Sequence, residues 1–206
     1  MRARLCTLAV TISFALAAGG DSLAQNKVRT ETIRPPAAPA APPPSPAPKT
    51  AVPIEIITDL ARLPPRVARM RERILEAARS GSLDKVVTVM QSNETMPIFS
   101  HGGGRDPAAY WKANYPDSEG IEMLAILVTI LEASFVHVDK GTPQEMYVWP
   151  SFARLPLSGL SANEKVELFR IVTGSDYRKM LVSGGYNFYR VGIGPDGTWH
   201  FFVAGN

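Results

Sequence analysis

Apolar residues between positions 65 and 90 recur three or four residues apart, which is the spacing of amphipathic helices. Pro64-Pro65 can open the first helix, because proline is tolerated in a first helical turn, and Gly81 can end it. Ser82 is placed to cap the second helix through its hydroxyl. The pattern predicts one αα-hairpin, whose apolar positions are Val67, Met70, Ile74, Leu75, Ala78, Leu83, Val86, Val87 and Met90.

Further helices are predicted along the rest of the chain. Asp106 precedes a proline and begins a short helix. Residues 118–133 are apolar nearly all round, which is typical of a buried central helix. Ser161 and Glu164 have the spacing of a capping box and begin another helix, and a last one is predicted over residues 175–181.

Segments rich in β-branched and aromatic residues predict strands at 135–139 and 146–149 and a C-terminal β-hairpin over 187–203. Side-chain matching favours a register in which Val191 pairs with Phe201. This register gives an apolar face of Tyr189, Val191, Ile193, Trp199, Phe201 and Val203 and a mixed face of Phe188, Arg190, Gly192, Thr198, His200 and Phe202. We expect an α+β domain, with a helical N-terminal part packed on a small antiparallel sheet that ends in this hairpin.

The first 24 residues have the three regions of a secretory signal peptide. Arg2 and Arg4 precede an apolar run over residues 5–18, and Ser22-Leu23-Ala24 is an A-x-A-like cleavage site. The pattern predicts a mature chain that begins at Gln25 and is periplasmic or secreted. An uncleaved anchor is the alternative, although about 14 apolar residues fall short of the roughly 20 that a spanning helix needs.

Residues 25–51 are predicted to form a disordered linker. Eight of the fourteen residues from Pro35 to Pro48 are proline, which favours extended polyproline II because proline lacks a backbone donor. We expect a solvated spacer between the N-terminus and a single globular domain over residues 52–206. A ligand for a proline-binding groove is the alternative interpretation.

The net positive charge of the chain comes from the residues that precede the predicted domain. Six of the 22 Lys and Arg residues, but two of the 19 Asp and Glu residues, precede position 52, so the domain is close to neutral. A nucleic-acid-binding domain should carry a basic excess on its folded part, and we therefore expect no nucleic acid partner. The single cysteine, Cys6, lies in the predicted signal, which excludes disulfides and cysteine nucleophiles from the mature chain.

The sequence contains no complete catalytic motif. His101-Gly102-Gly103-Gly104 is similar to the oxyanion loop of some lipases, but no G-x-S-x-G nucleophile elbow accompanies it. Ser82-Leu83-Asp84-Lys85 matches the S-x-x-K motif of penicillin-recognising enzymes, whose other motifs are out of order here. The histidines do not stand at metal-ligand spacing. We expect no catalytic residue, metal or cofactor.

The mixed face of the C-terminal hairpin is the predicted ligand site. It centres on Arg190 and His200, with the rings of Tyr147 or Trp149 beside them. Arginine offers planar donors suited to a carboxylate. Gly192 would leave a gap opposite His200, which a ligand group or a neighbouring side chain must fill.

A structural role for this face is the alternative. The central helix or the loop over residues 102–105 would then cover it, and Glu122 or Asp106 would pair with Arg190.

Several stretches resemble an uncharacterised family of exported alphaproteobacterial proteins. They are GTPQEMYVWPSFA (141–153), VELFRIVT (166–173) and YNFYRVGIGPDGTWHFFVAGN (186–206), and the similarity extends through DPAAYWK (106–112) to about residue 60. The resemblance implies a periplasmic location and no established activity, so it assigns no catalytic residue.

Together these observations predict an exported domain with a non-enzymatic binding or structural role in the cell envelope. The expected partner is cell-wall material or an envelope protein, and no stable membrane span is expected after signal cleavage. A hydrolase acting on envelope glycan or peptide is the alternative function.

Overall fold

The computed structural model describes residues 54–102 and 104–205, and this part of the chain has the predicted α+β class. The predicted signal peptide and the whole of the predicted proline-rich linker lie outside the described residues. The helices are α1 (Pro65–Arg79), α2 (Leu83–Gln91), α3 (Pro107–Asn114), α4 (Glu122–Leu131), α5 (Ala162–Ile171) and α6 (Gly174–Ser183). The strands are β1 (Ile56–Ile57), β2 (Phe135–Val138), β3 (Met146–Trp149), β4 (Arg190–Ile193) and β5 (Trp199–Val203).

The predicted capping residues begin the helices as expected. The Ser82 hydroxyl accepts a hydrogen bond from the backbone N–H of Lys85 at 3.3 Å, at the start of α2. The Asp106 carboxylate does the same for Ala109 at 3.0 Å, at the start of α3. Ser161 forms the complete capping box of α5 with Glu164. These caps satisfy backbone donors that have no partner inside the helix, which is why the boundaries follow the sequence signals.

The strands form an antiparallel sheet in the order β1-β2-β3-β4-β5. The strands β2 and β3 and the hairpin of β4 and β5 were predicted. Strand β1 was not, because two residues are too few to show an alternation of apolar and polar positions. A further segment joins the free edge of β5: the backbone N–H of Ile98 donates to the His200 carbonyl at 2.9 Å, and that of Phe202 donates to the Ile98 carbonyl at 2.8 Å.

The main core lies between one face of the sheet and helices α1 to α4. Trp111, Trp149 and Trp199 are fully buried in it, as are Val67 and Leu127 of α1 and α4. A smaller cluster lies under α5 and α6 and contains Phe152, Leu157, Leu160, Leu168, Val172, Met180 and Tyr186. The opposite face of the sheet carries Val136, Val138 and Val148.

The register of the C-terminal hairpin differs from the predicted one. The Cα partners are Val191–Phe202, Gly192–Phe201 and Ile193–Trp199, with a register shift between Gly192 and Ile193. His200 is therefore an extra residue in β5, as in a β-bulge. The predicted pairing of Val191 with Phe201 is wrong because a strict two-residue period does not anticipate this insertion.

The bulge places Phe202 in the main core and Phe201 on the opposite face. Gly192 lies opposite Phe201 and not, as predicted, opposite His200. A Cβ atom at Gly192 would lie 2.4 Å from the Phe201 ring and 2.5 Å from Sδ of Met146. Neighbouring side chains thus fill the gap that the sequence analysis left open to a ligand.

Candidate functional site

Two of the four predicted ligand residues belong to the main core. Tyr147 and Trp149 are 5% and 0% exposed, and both are packed against Phe135. They lie on the same face of the sheet as Val191 and Ile193, their partners in β4. Burial therefore leaves neither ring a surface for a ligand, and the Trp149 indole N–H has no hydrogen-bond partner among the described residues.

The other two predicted residues lie at opposite ends of the hairpin. Arg190 pairs with Val203, and its guanidinium donates a hydrogen bond to the Gly205 carbonyl. Burial lowers the pKa of Arg190, and the nearby charge of Arg154 acts in the same direction. His200 is exposed beside the turn.

The structure does not bring the four predicted residues together. The alternative of an ion pair with Glu122 or Asp106 is not realised either, because neither carboxylate contacts Arg190 within the described part of the chain.

A groove between α2 and α3 is a concave surface of the described residues. Its larger section has a volume of about 490 Å³, and its smaller section, about 280 Å³, shares Asp84 and Lys112 with it. We call the two sections the α2–α3 groove. It is lined by Gly81, Ser82, Leu83, Asp84, Val87, Gln91, Arg105, Asp106, Pro107, Ala108, Ala109, Lys112, Glu119 and Ile121.

Helical spacing explains how the polar residues reach the groove. Asp84, Val87 and Gln91 follow one another by three and four residues and so share one face of α2. On α3, Trp111 is fully buried and makes edge-on ring contacts with Phe99 and Phe202 at centroid distances of 6.3 and 5.9 Å. This anchor fixes the rotation of α3 and leaves the neighbouring Lys112 exposed in the groove.

The turn after α3 closes one end of the groove. Gly120 has a φ of 81°, which favours glycine, and a Cβ there would lie 3.1 Å from the backbone of Trp111 and of Lys112. The backbone can therefore pack directly on α3. This close approach brings Glu119 and Ile121 to the wall of the smaller section.

The groove presents charges of both signs that are not paired with one another. Arg105, Lys112, Asp84 and Asp106 all line it, and none of them forms a salt bridge among the described residues. Asp106 is engaged by its cap on Ala109. The other three remain able to bind a ligand that carries a carboxylate and an amine or hydroxyl groups.

A second polar cluster lies at the loop between β2 and β3. The Glu145 carboxylate contacts Nε2 of His137 and accepts from the backbone N–H of Gly141, both at 2.8 Å. These two contacts lower the pKa of Glu145, with the Gly141 bond as the larger cause. The His137 ring stacks on Tyr147 at 4.1 Å. The cluster anchors the loop, and no group of three His, Cys, Asp or Glu residues in the described part could hold a metal ion.

Sequence reasoning missed the α2–α3 groove. Helical periodicity indicates that Asp84 and Lys112 are exposed, but each periodic pattern describes one helix alone. A groove depends on the angle and distance between two helices, which here follow from the burial of Trp111 and the close approach at Gly120. No local signal in the sequence reports either.

Within the described residues no helix is long and apolar enough to cross a bilayer. The chain matches no protein-family model, no curated protein and no solved structure. The resemblance to an exported alphaproteobacterial family and the periplasmic location therefore stay predictions.

Proposed function

We propose that this chain is an exported domain that binds cell-envelope material non-enzymatically in the α2–α3 groove. The observation that carries the proposal is the groove itself, in which Arg105, Lys112 and Asp84 are exposed and form no salt bridge with any described residue. A volume of about 490 Å³ lies in the range of small-ligand sites. The N-terminal signal pattern supports the envelope as the compartment.

The charges of the groove favour a ligand that carries both signs. A peptide stem of the cell wall has carboxylates that Arg105 and Lys112 can bind and amines that Asp84 can bind. Lys112 lies where the two sections meet, so a ligand that occupies either section would contact it. Gln91 adds an amide that can hydrogen-bond a sugar hydroxyl or a peptide group.

Titration of the chain without residues 1–24 with muropeptides tests the proposal. NMR shifts should change at Asp84, Gln91 and Ala109. Lys112→Ala should weaken binding roughly tenfold, as expected for a lost charge-assisted hydrogen bond. Lys85→Ala is the matched control, because Lys85 is exposed on α2 outside the groove and should leave affinity within about twofold.

Two results would contradict the proposal. Equal affinity of the Lys112→Ala and Lys85→Ala variants would remove the groove from the binding site. Cleavage of the muropeptides during incubation, detected by mass spectrometry, would favour the alternative function of an envelope hydrolase.

A further inference from the structure

Helices α5 and α6 carry an apolar surface on the outside of the domain. Val166 and Val182 are 67% and 89% exposed, and Phe169 and Leu181 are 46% and 43% exposed. These four side chains make up half of the large apolar residues that are exposed in the described part of the chain. Such a concentration marks an interaction surface, whereas single exposed apolar residues are common and carry no such implication.

Side chains of α5 and α6 meet on the outside of the domain. Val166 and Phe169 are three residues apart and share a face of α5, as Tyr177 and Leu181 do on α6 at a spacing of four. The rings of Phe169 and Tyr177 meet edge to face with centroids 5.5 Å apart, which joins the two faces. We call these residues, together with Val182, the α5–α6 surface.

The fold does not need the four exposed side chains of this surface for its core, whereas Tyr177 packs against the smaller cluster and donates from its hydroxyl to the Leu157 carbonyl at 3.3 Å. The inward faces of α5 and α6 carry Leu168 and Met180, which are buried in the smaller cluster with Phe152 and Tyr186. Val166, Phe169, Leu181 and Val182 can therefore be changed with little effect on packing.

Around the α5–α6 surface the acidic side chains have partners within the domain, whereas two arginines do not. Its acidic neighbours are all engaged: Glu164 in the capping box with Ser161, Glu167 with the backbone N–H of Ser134, and Asp176 with Thr173 and Lys179. The exposed Arg170 and Arg178 form no salt bridge among the described residues. Two exposed arginines without an ion-pair partner thus flank the apolar surface. The two helices together carry four basic side chains against three acidic ones, an excess of one positive charge.

We infer that the α5–α6 surface docks the domain onto an anionic lipid bilayer. Apolar side chains flanked by arginines are the composition of interfacial membrane-binding helices, in which the apolar face enters the headgroup region and the cations contact anionic lipids. The Val182 side chain is 89% exposed, which suits insertion into the headgroup region of a bilayer. A second copy fits less well, because an isologous contact would bring the free arginines of both copies together.

Vesicle binding tests the inference on the chain without residues 1–24, so that the apolar signal segment is absent. Wild-type protein should sediment with vesicles of equimolar phosphatidylcholine and phosphatidylglycerol and should bind phosphatidylcholine alone much more weakly. The double variant Phe169→Ser/Val182→Ser should lower the partition coefficient roughly tenfold or more, since two apolar side chains no longer leave water on binding. Ile98→Ser is the matched control, because Ile98 is 58% exposed outside the surface, and it should bind like wild type.

A charge variant separates the two contributions. Arg170→Gln/Arg178→Gln should weaken binding to the anionic vesicles and reduce its salt dependence, while weak binding to neutral vesicles stays unchanged. The basic linker residues are present in every variant, so their contribution cancels; they are Lys27, Arg29, Arg34 and Lys49. Thermal unfolding of each variant should match that of wild type, which shows that the surface changes leave the fold intact.

Three outcomes would overturn the inference. They are the absence of binding to anionic vesicles, equal binding to neutral and anionic vesicles, and binding that the α5–α6 variants leave unchanged. Capture of an acidic envelope protein through this surface without lipid binding would overturn it in favour of a protein partner. Muropeptide binding through Lys112 is independent of every one of these results.

Discussion

Replacing Phe202 with alanine should destabilise the domain far more than replacing Phe201. Phe202 is fully buried opposite Val191, and its ring contacts Trp111 at 5.9 Å and Tyr189 at 4.9 Å. Phe201 lies on the other face of the sheet, half-buried over Gly192. The two neighbouring phenylalanines therefore report directly on the register that the bulge at His200 sets.

The expected magnitudes follow from burial. Truncation of a buried phenylalanine costs about 3–5 kcal/mol, because transfer free energy is lost and a cavity remains. A half-buried ring removes about half as much area from water, so Phe201→Ala should cost about 1–2 kcal/mol. For a domain of this size, a difference of about 2–3 kcal/mol lowers the melting temperature of Phe202→Ala by roughly 5–10 °C more than that of Phe201→Ala.

Urea titration followed by tryptophan emission measures both values, because all three tryptophans are fully buried and become exposed on unfolding. The urea dependence of the unfolding free energy should be the same for both variants, so that the midpoints can be compared. Equal losses, or a larger loss for Phe201→Ala, would refute the observed register and restore the pairing of Val191 with Phe201.

Four further outcomes are expected. Gly192→Ala should cost roughly 1–3 kcal/mol by overpacking against Phe201, and urea titration should give a smaller loss in a Phe201→Ala background. Trp199→Ala should lower the free energy of unfolding by about 3–5 kcal/mol, because Trp199 is fully buried. His200→Ala should lower it by less than about 0.5 kcal/mol, because His200 is exposed. Similar losses in urea titration would contradict the assigned burial. The pKa of Glu145 is lowered in the folded protein, so its ionised carboxylate stabilises the fold above the ordinary carboxyl pKa, and this stabilisation is lost as the pH falls through the folded pKa. The melting temperatures of wild type and Glu145→Gln should therefore converge in acid. A difference that stays constant with pH would contradict this. The N-terminal sequence of protein recovered from a periplasmic fraction should begin at Gln25, and a full-length chain in the membrane fraction would favour the uncleaved anchor.

The helices were predictable because their signals are local. Ser82, Asp106 and Ser161 satisfy backbone donors within three residues of themselves, and each begins a helix where the sequence indicates. The buried α4 and the strands β2 and β3 were predictable for a similar reason. An apolar run of suitable length predicts a buried element even when the segments that pack on it are unknown.

The predictions that failed concern features that depend on contacts between distant segments of the chain. The bulge at His200 lets Trp199 and Phe202 both enter the core although they are three residues apart, which no two-residue period anticipates. Tyr147 and Trp149 were proposed as ligand residues because aromatic side chains suit both cores and binding sites. Their burial is decided by the helices that pack on this face of the sheet, and the α2–α3 groove is decided in the same way by helix packing.

The Ile98 bridge affects how readily the edge of β5 could pair with another molecule. A five-stranded open sheet has two edge strands, and free backbone groups on an edge can pair with the edge of another molecule. Ile98 occupies the outer side of β5, the side-chain oxygen of Asn93 accepts the backbone N–H of Trp199 at 2.9 Å, and β1 at the other edge is only two residues long. Both edges therefore leave few backbone groups free to pair with a strand of another molecule. Replacing Ile98 with proline, which removes one of the two bridging donors, should make the domain prone to edge-to-edge association at high concentration.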